Sequence, residues 1–119
     1  MNILVTGCNG QLGNEFQKIA RFDIEHNWLF TDVDTLDICD EDSVDRFFKE
    51  NKIEACINCA AYTAVDKAED EEEKAREINA LAVKKLANVC KSNDSLLIHI
   101  STDYVFDGTS IRPYLEDDI

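Results

Sequence analysis

The chain has 119 residues, which is one domain at most, with room for a hydrophobic core. Its 25 acidic and 12 basic residues give a formal charge of −13, which argues against nucleic acid or an anionic membrane as a partner, since both bind basic surfaces. No apolar stretch could cross a bilayer, no secretory signal pattern is present, and the five scattered cysteines suit a reducing compartment. We therefore expect a cytoplasmic protein.

The first predicted strand, residues 2–6, runs into three glycines spaced three residues apart, Gly7, Gly10 and Gly13. An amphipathic helical pattern follows the last of them. A strand, a glycine turn and a helix N-terminus can bind the pyrophosphate of a dinucleotide, because the phosphates approach the backbone closely and the helix presents free N–H groups. The alternative is a strand-to-helix turn without a ligand.

A second predicted strand, residues 28–32, strengthens the interpretation as a nucleotide site. It ends in Asp32, nineteen residues after Gly13. This is close to the spacing at which a carboxylate binds the adenosine ribose hydroxyls of a dinucleotide. The sequence therefore predicts a dinucleotide site built on the first two strands.

Two further apolar runs, residues 55–60 and 96–101, are nearly continuous, which is typical of strands buried on both faces. Helical patterns separate the strands, and the longest is predicted over residues 71–90. Strands that alternate with helices imply right-handed crossovers and a parallel sheet. The predicted fold class is α/β, a Rossmann-like doubly wound parallel sheet that is truncated and has strand order 3-2-1-4. The predicted inward stripe of the longest helix is Ala75, Ile78, Ala82, Leu86 and Val89.

No metal site is predicted. Cys56 and Cys59 have the spacing of a metal or redox pair, but on a strand residues three apart point to opposite faces, so both are interpreted as small core residues. His26 and His99 lack ligand-like spacing. The acidic run 69–73 is interpreted as the solvated start of the third helix, where carboxylates complement the helix dipole, rather than as a metal-binding patch.

Two segments are more specific than the glycine turn: residues 58–69, NCAAYTAVDKAE, and residues 101–108, STDYVFDG. Both resemble signature segments of the extended short-chain dehydrogenases and, within them, of the dTDP-4-dehydrorhamnose reductases. The resemblance covers essentially the whole chain as the N-terminal part of that family. It implies an oxidoreductase that reduces a 4-keto nucleotide sugar to dTDP-L-rhamnose with a nicotinamide cofactor, for the synthesis of a cell-surface polysaccharide precursor.

The resemblance also implies roles for individual residues. It places the pyrophosphate at the glycine turn, the adenosine ribose at Asp32, the adenine between Asp37 and Ile38, and the nicotinamide side near the third and fourth strands. Thr102 takes the position of the catalytic hydroxyl, and Asp103 lies beside it at the sugar nucleotide. The implied cofactor-binding residues are Gly7, Gly10, Gln11, Leu12, Gly13, Asp32, Asp37, Ile38, Ala60, Ala61, Tyr62, Thr63 and Ile100.

Each of the less certain positions has a structural alternative. Asp37 could be a turn residue, Tyr62 could cap a strand, and Thr102 with Asp103 could form a side-chain turn. Asn79 resembles an asparagine that supports the active site from the long helix in related dehydrogenases, but an asparagine in mid-helix can also face solvent.

The family's acid is a tyrosine whose pKa is lowered by a lysine four residues later. This chain lacks that pair: Tyr62, Tyr104 and Tyr114 are followed four residues later by Asp66, Gly108 and Asp118. We therefore expect a fragment that binds dinucleotide weakly and is inactive alone. The alternatives are a natural non-catalytic regulatory subunit, or part of a reductase or epimerase of another sugar nucleotide.

The predicted cofactor is NADH or NADPH, with a preference for NADH. A 2′-phosphate calls for a basic side chain near the glycine turn or after the second strand, but Cys8, Asn9, Val33 and Asp34 occupy those positions and Asp32 would repel the phosphate. The family it resembles uses either cofactor. The expected partner is a dTDP-sugar substrate, and an unpaired sheet edge leaves a homodimer open.

Overall fold

The structure is a computed structural model that describes residues 1–61, 71–101 and 107–118. Four parallel strands form one sheet, and helices connect them. The strands are β1 (Asn2–Thr6), β2 (Asn27–Phe30), β3 (Ala55–Asn58) and β4 (Leu96–His99). The helical elements are α1 (Gln11–Ala20), α2 (Glu41–Asn51), α3 (Glu72–Arg76), a π-helical turn (Glu77–Leu81) and α4 (Ala82–Ser92).

The parallel α/β class is confirmed, but the predicted strand order 3-2-1-4 is wrong. The order is β2-β1-β3-β4, so β3 lies between β1 and β4 rather than beside β2. All four residues of β3 are buried, as a central strand requires, whereas β2 has an exposed first residue and three half-buried ones. Residues 33–40 form turns after β2 and add no strand outside it.

The two faces of the sheet pack against different helices. Leu4 and Cys56 point toward α2 and α4, and they share a buried cluster with Phe48 and Leu86. Ile57 points to the opposite face with the other odd-numbered residues of β1 and β3, on the side that contacts Phe16 of α1 and Trp28. This division follows from right-handed crossovers, because the chain moves one way from β1 to β2 and the other way afterwards.

Cys56 and Cys59 lie on opposite sides of the sheet, as predicted. Cys56 belongs to the cluster beneath α2 and α4, and Cys59 packs against the cluster on the α1 side. Burial raises the pKa of the Cys59 thiol. The two thiols are therefore core residues and do not form a pair.

The sequence favours the start of α2 more than its end. Asp40 caps α2, since its Oδ1 accepts the backbone N–H of Ser43 at 3.2 Å, and Lys52 ends the helix in the left-handed region with φ 50°. In the predicted long helix, Ala82, Leu86 and Val89 are buried, which confirms the second half of the stripe. In the described part of the chain, no helix is long and apolar enough to span a membrane.

Asp23 organises the connection from α1 to β2. Its Oδ2 accepts the Trp28 indole N–H and contacts His26 Nδ1, both at 2.8 Å, and its Oδ1 accepts the Glu25 backbone N–H at 2.9 Å. The Trp28 contact, followed by the Glu25 contact, lowers the pKa of Asp23 from its ordinary 3.8 to about 2. The His26 backbone N–H also donates to Oδ1, at 3.3 Å, so four contacts stabilise the ionised carboxylate of the folded chain.

This lowered pKa predicts how stability depends on pH. A carboxyl whose folded pKa lies below its unfolded value adds stability above about pH 4, and that contribution is lost as the pH falls toward about 2. Denaturant titrations followed by circular dichroism should therefore show a shallower loss of stability over this range in Asp23→Asn than in the unmodified chain. The control, Asp34→Asn in the exposed turn after β2, should keep the unmodified slope. An unchanged slope in Asp23→Asn would contradict the prediction.

Candidate functional site

The candidate site lies at the carboxyl ends of β1, β2 and β3. The chain changes direction across the sheet between β1 and β3, and open α/β sheets bind ligands at such a switch point. Three segments meet there: the glycine turn after β1, Asp32 after β2, and residues 59–61 after β3. The order of the sheet thus brings together segments that are far apart in the sequence.

Gly7 and Gly13 are the glycines that this packing requires. Gly7 has φ +63°, and a Cβ there would lie 2.5 Å from the backbone N of Ala60. A Cβ on Gly13 would overlap the Gly7 carbonyl and lie 2.6 Å from Cys8 Cα. At Gly10 the nearest atom to an added Cβ is 3.4 Å away, an ordinary contact. The backbone of the turn therefore packs directly against the end of β3.

The first turn of α1 faces this cleft with its backbone N–H groups. Gly10 is the N-cap residue and supplies no side-chain cap, and the first turn contains no acidic residue. Gln11 and Leu12 are exposed. Because the first N–H groups of a helix lack partners within it and lie at the positive end of its dipole, this end of α1 suits an anion.

Asp32 is anchored against the glycine turn. Its Oδ2 accepts the backbone N–H of Asn9 at 3.0 Å, and its Oδ1 accepts that of Val33 at 2.8 Å. The turn is also braced by Gln17, whose amide donates to the Cys8 carbonyl at 2.7 Å. Sequence reasoning missed Gln17, although its position one helical turn after Gly13 is a signal that could have identified it.

The loop that carries Asp37 and Ile38 is held in place from two sides. Asp37 Oδ1 accepts the backbone N–H of Cys39 at 2.9 Å. This is the contact expected if Asp37 is a turn residue, the alternative to a role in binding adenine. Lys85 of α4 donates to the Cys39 carbonyl at 2.8 Å, a contact that the sequence did not predict. Burial, together with the nearby carboxylates of Asp37 and Glu77, raises the pKa of the Cys39 thiol. Ile38 is only 7% exposed.

The remaining sequence-predicted residues are placed in part. Ala60 is half-buried against the glycine turn, Ala61 is exposed beside it, and Ile100, after β4, is 49% exposed. Asn79 lies exposed in the π-helical turn that interrupts the long helix, an irregularity that the apolar spacing did not indicate. The predictions for Tyr62, Thr63, Thr102 and Asp103 lie outside the described residues.

A chain of polar side chains links the buried Thr6 and Asn58 to the exposed His99 at the ends of three strands. Thr6 Oγ1 donates to Asn58 Oδ1 at 2.6 Å, and Asn58 Nδ2 lies 3.1 Å from His99 Nδ1. Asn58 Oδ1 also accepts the backbone N–H of Ala60 at 3.3 Å. Sequence reasoning did not connect these residues. Within residues 1–61, 71–101 and 107–118, no three His, Cys, Asp or Glu side chains are grouped as a metal site.

A glycine turn at a helix N-terminus, a carboxylate anchored to that turn and a location at the switch point are the features of a Rossmann-like nucleotide-binding domain. Comparison with known proteins identifies the family. The RmlD substrate binding domain model matches residues 1–119, and the chain belongs to this family.

Curated relatives agree with this assignment. The chain is 44% identical over 117 residues to dTDP-4-dehydrorhamnose reductase of Mycolicibacterium smegmatis, covering 98% of this chain and 35% of the relative. It is 39% identical over 123 residues to the Escherichia coli enzyme of that name, covering 99% of this chain and 40% of the relative. The chain thus spans less than half the length of these relatives.

Solved structures share the fold. A dTDP-4-dehydrorhamnose reductase of Clostridium acetobutylicum superposes with TM-score 0.95 and 46% identity, over 100% of this chain and 42% of that one. The Bacillus anthracis enzyme, solved in complex with NADP, superposes with TM-score 0.86 and 36% identity, and the match covers 92% of this chain and 39% of that one. The Thermus thermophilus UDP-glucose 4-epimerase, at 21% identity and TM-score 0.67, shows the fold alone.

The close packing of the glycine turn predicts an inverted effect of alanine substitution. Alanine normally stabilises a helix relative to glycine by about 0.5–1 kcal/mol. Gly13→Ala should instead destabilise the chain by about 1–3 kcal/mol, because its Cβ overlaps backbone atoms that cannot rotate away. Urea unfolding measures the change. Gly10→Ala is the matched control and should change stability by less than about 1 kcal/mol, and a stabilising Gly13→Ala would contradict the packing.

Proposed function

We propose that this chain is the NAD(P)H-binding part of a dTDP-4-dehydrorhamnose reductase, the enzyme that reduces dTDP-4-dehydro-L-rhamnose to dTDP-L-rhamnose. In this proposal residues 1–119 form its Rossmann domain, and the substrate is a dTDP-sugar. The main support is the glycine turn, packed on Ala60 and anchored by Asp32, in a chain whose relatives carry that name. The role is in the synthesis of nucleotide sugars for cell-surface polysaccharide.

The pyrophosphate of the cofactor binds at the N-terminus of α1. The backbone N–H groups of Gln11, Leu12 and Gly13 are the donors, because they lie in the first turn and have no partner within the helix. Gly7 and Gly10 leave the approach free of side chains. A backbone site of this kind binds phosphate without Lys or Arg, which explains how a chain with formal charge −13 can bind a dianion.

Asp32 binds the adenosine ribose. Each of its carboxylate oxygens accepts one backbone N–H, from Asn9 or Val33, and each retains a lone pair for a ribose hydroxyl. The two backbone contacts fix the carboxylate before the ligand arrives, so little side-chain entropy is lost on binding. A 2′-phosphate placed there would meet this negative charge, which favours NADH over NADPH.

The adenine ring lies against the loop of Asp37 and Ile38. Asp37 Oδ1 accepts the Cys39 N–H, and the other oxygen is available to the exocyclic amine of the ring. Ile38 presents the small part of its side chain that stays exposed. Lys85 keeps the loop against α4 through the Cys39 carbonyl, so the adenine site is positioned by the long helix as well as by β2.

Ala60, Ala61 and Ile100 would hold the nicotinamide side of the cofactor, and the family resemblance assigns Tyr62 and Thr63, which lie outside the described residues, to the same role. The bound cofactor supplies a hydride to the sugar C4 carbonyl. The family resemblance assigns Thr102 as the catalytic hydroxyl and Asp103 to the sugar-nucleotide site, and both lie outside the described residues. The three tyrosines of the chain lack a lysine four residues later, so we propose that these residues bind cofactor without turning over substrate on their own. A homodimer is compatible with this role.

Substitution of Asp32 tests the proposal. Asp32→Asn should weaken NADH binding about tenfold or more, because the hydrogen bonds from ribose hydroxyls to a charged acceptor are lost. It should weaken NADPH binding less, since the repulsion of the 2′-phosphate is also removed. Isothermal titration calorimetry with both cofactors measures the two dissociation constants. Asp94→Asn, in the exposed turn before β4, is the control and should leave both unchanged.

The outcomes separate the two parts of the proposal. If the unmodified chain binds neither cofactor, or if Asp32→Asn leaves both dissociation constants unchanged, the proposed site is wrong. If the unmodified chain binds NADPH more tightly than NADH, the site stands and the preference for NADH is wrong.

A further inference from the structure

Thr6, Asn58 and His99 form a row across three neighbouring strands. Each is the last residue of its strand, and the sheet register pairs Thr6 with Asn58 and Asn58 with His99. Thr6 and Asn58 are each only 1% exposed. Buried polar groups of this kind need hydrogen-bond partners, because an unpaired one costs about 1–3 kcal/mol.

One backbone N–H group determines which side chains in this row donate and which accept hydrogen bonds. The Ala60 N–H can only donate, and it lies 3.3 Å from Asn58 Oδ1, so that atom is the amide oxygen. The Asn58 NH₂ group therefore faces His99 Nδ1 at 3.1 Å. Since the NH₂ group only donates, His99 Nδ1 must accept, and the ring is neutral with its proton on Nε2.

This orientation bears on the cofactor site through Ala60. The Ala60 backbone N is the atom that lies 2.5 Å from the position of a Cβ on Gly7, so it sets how closely the glycine turn approaches β3. Asn58 holds that N–H with the same oxygen that accepts from Thr6, the residue before Gly7. The Asn58 amide therefore links the end of β1, at Thr6, to the segment after β3, at Ala60. If the amide flipped, its NH₂ group would face the Ala60 N–H, so that contact would be lost, whereas the Thr6 hydroxyl could still accept from the NH₂ group.

We infer that Asn58 and His99 are positioning residues for dinucleotide binding: His99, as a neutral acceptor, holds the Asn58 amide in the orientation that fixes Ala60 against the glycine turn. The inference rests on the proposed function, because it assigns the role to the same cofactor site. Neither side chain contacts the ligand in this account. A role in sheet stability alone is the competing explanation.

The first arm of the test determines, without any cofactor, which ring nitrogen of His99 carries the proton. Nitrogen-15 NMR of the imidazole rings at pH 8, where an ordinary histidine is neutral, should show His99 with unprotonated Nδ1. His26 is the internal reference, because its Nδ1 faces an Asp23 carboxylate that can only accept, so it should show the opposite, protonated Nδ1. A protonated Nδ1 on His99 would overturn the inference.

The second arm measures NADH dissociation constants by calorimetry. Asn58→Leu should weaken binding about tenfold in chains that circular dichroism shows to be folded, since both contacts of the amide oxygen are lost. Asn58→Asp keeps an oxygen for Thr6 and Ala60, so it should bind within about threefold of the unmodified chain. In Asn58→Asp the second carboxylate oxygen replaces the NH₂ group and can only accept, so His99 should now carry its proton on Nδ1 and donate to that oxygen.

His99→Phe covers the case in which Asn58→Leu does not fold. His99 is exposed, so its replacement should preserve the fold while it leaves the Asn58 NH₂ group without this acceptor, and NADH binding should weaken about threefold or more. His26→Phe is the matched control, because His26 lies in the connection that precedes β2, and it should leave binding unchanged.

The outcomes distinguish this inference from the proposed function. Folded Asn58→Leu or His99→Phe that binds NADH with unchanged affinity would overturn the positioning role alone. Failure of the unmodified chain to bind NADH would overturn the proposed function and with it this role, whatever the NMR arm shows. Weakened binding in the leucine variant with recovery in the aspartate variant would support it, because loss of stability alone does not predict that recovery.

Discussion

The backbone contact between the glycine turn and the end of β3 is the constraint on which the rest of the site depends. Gly7 and Gly13 must lack a Cβ because Ala60, Cys8 and the turn itself occupy that space. With the turn seated there, the N-terminus of α1 opens onto the switch point and Asn9 reaches the Asp32 carboxylate at 3.0 Å. The strand order β2-β1-β3-β4 makes this contact possible. It places β1 between β2, which leads to Asp32, and β3, against whose end the glycine turn packs.

Two kinds of interaction maintain this arrangement. Contacts from Gln17 and Asp32 brace the glycine turn, and Lys85 braces the loop after β2. The row of Thr6, Asn58 and His99 links the ends of three strands and provides hydrogen-bond partners for the buried Thr6 and Asn58. The proposed site binds the anion with backbone N–H groups, so it does not need basic side chains in a strongly acidic chain.

The features that the sequence predicted are those encoded by neighbouring residues. The glycine turn, Asp32 and four strands follow from local pattern, although the last three strands end two residues earlier than expected, at Phe30, Asn58 and His99. The predicted strand order was wrong because the order depends on the side of β1 to which each crossover leads, which the apolar pattern does not indicate. The contact of Asn58 with His99 depends on register between distant strands. The π-helical turn around Asn79 was missed because Ala75, Ile78 and Ala82 also fit a regular helix.

The central claim is that a dinucleotide binds with its pyrophosphate at the N-terminus of α1. Backbone amide NMR during a titration with NADH tests it most directly, because each amide reports its own environment. The account predicts the largest shifts at Gln11, Leu12 and Gly13, with smaller ones at Asn9 and Val33, which share the Asp32 carboxylate. Binding that leaves those amides unchanged, or that shifts a different surface, would contradict it.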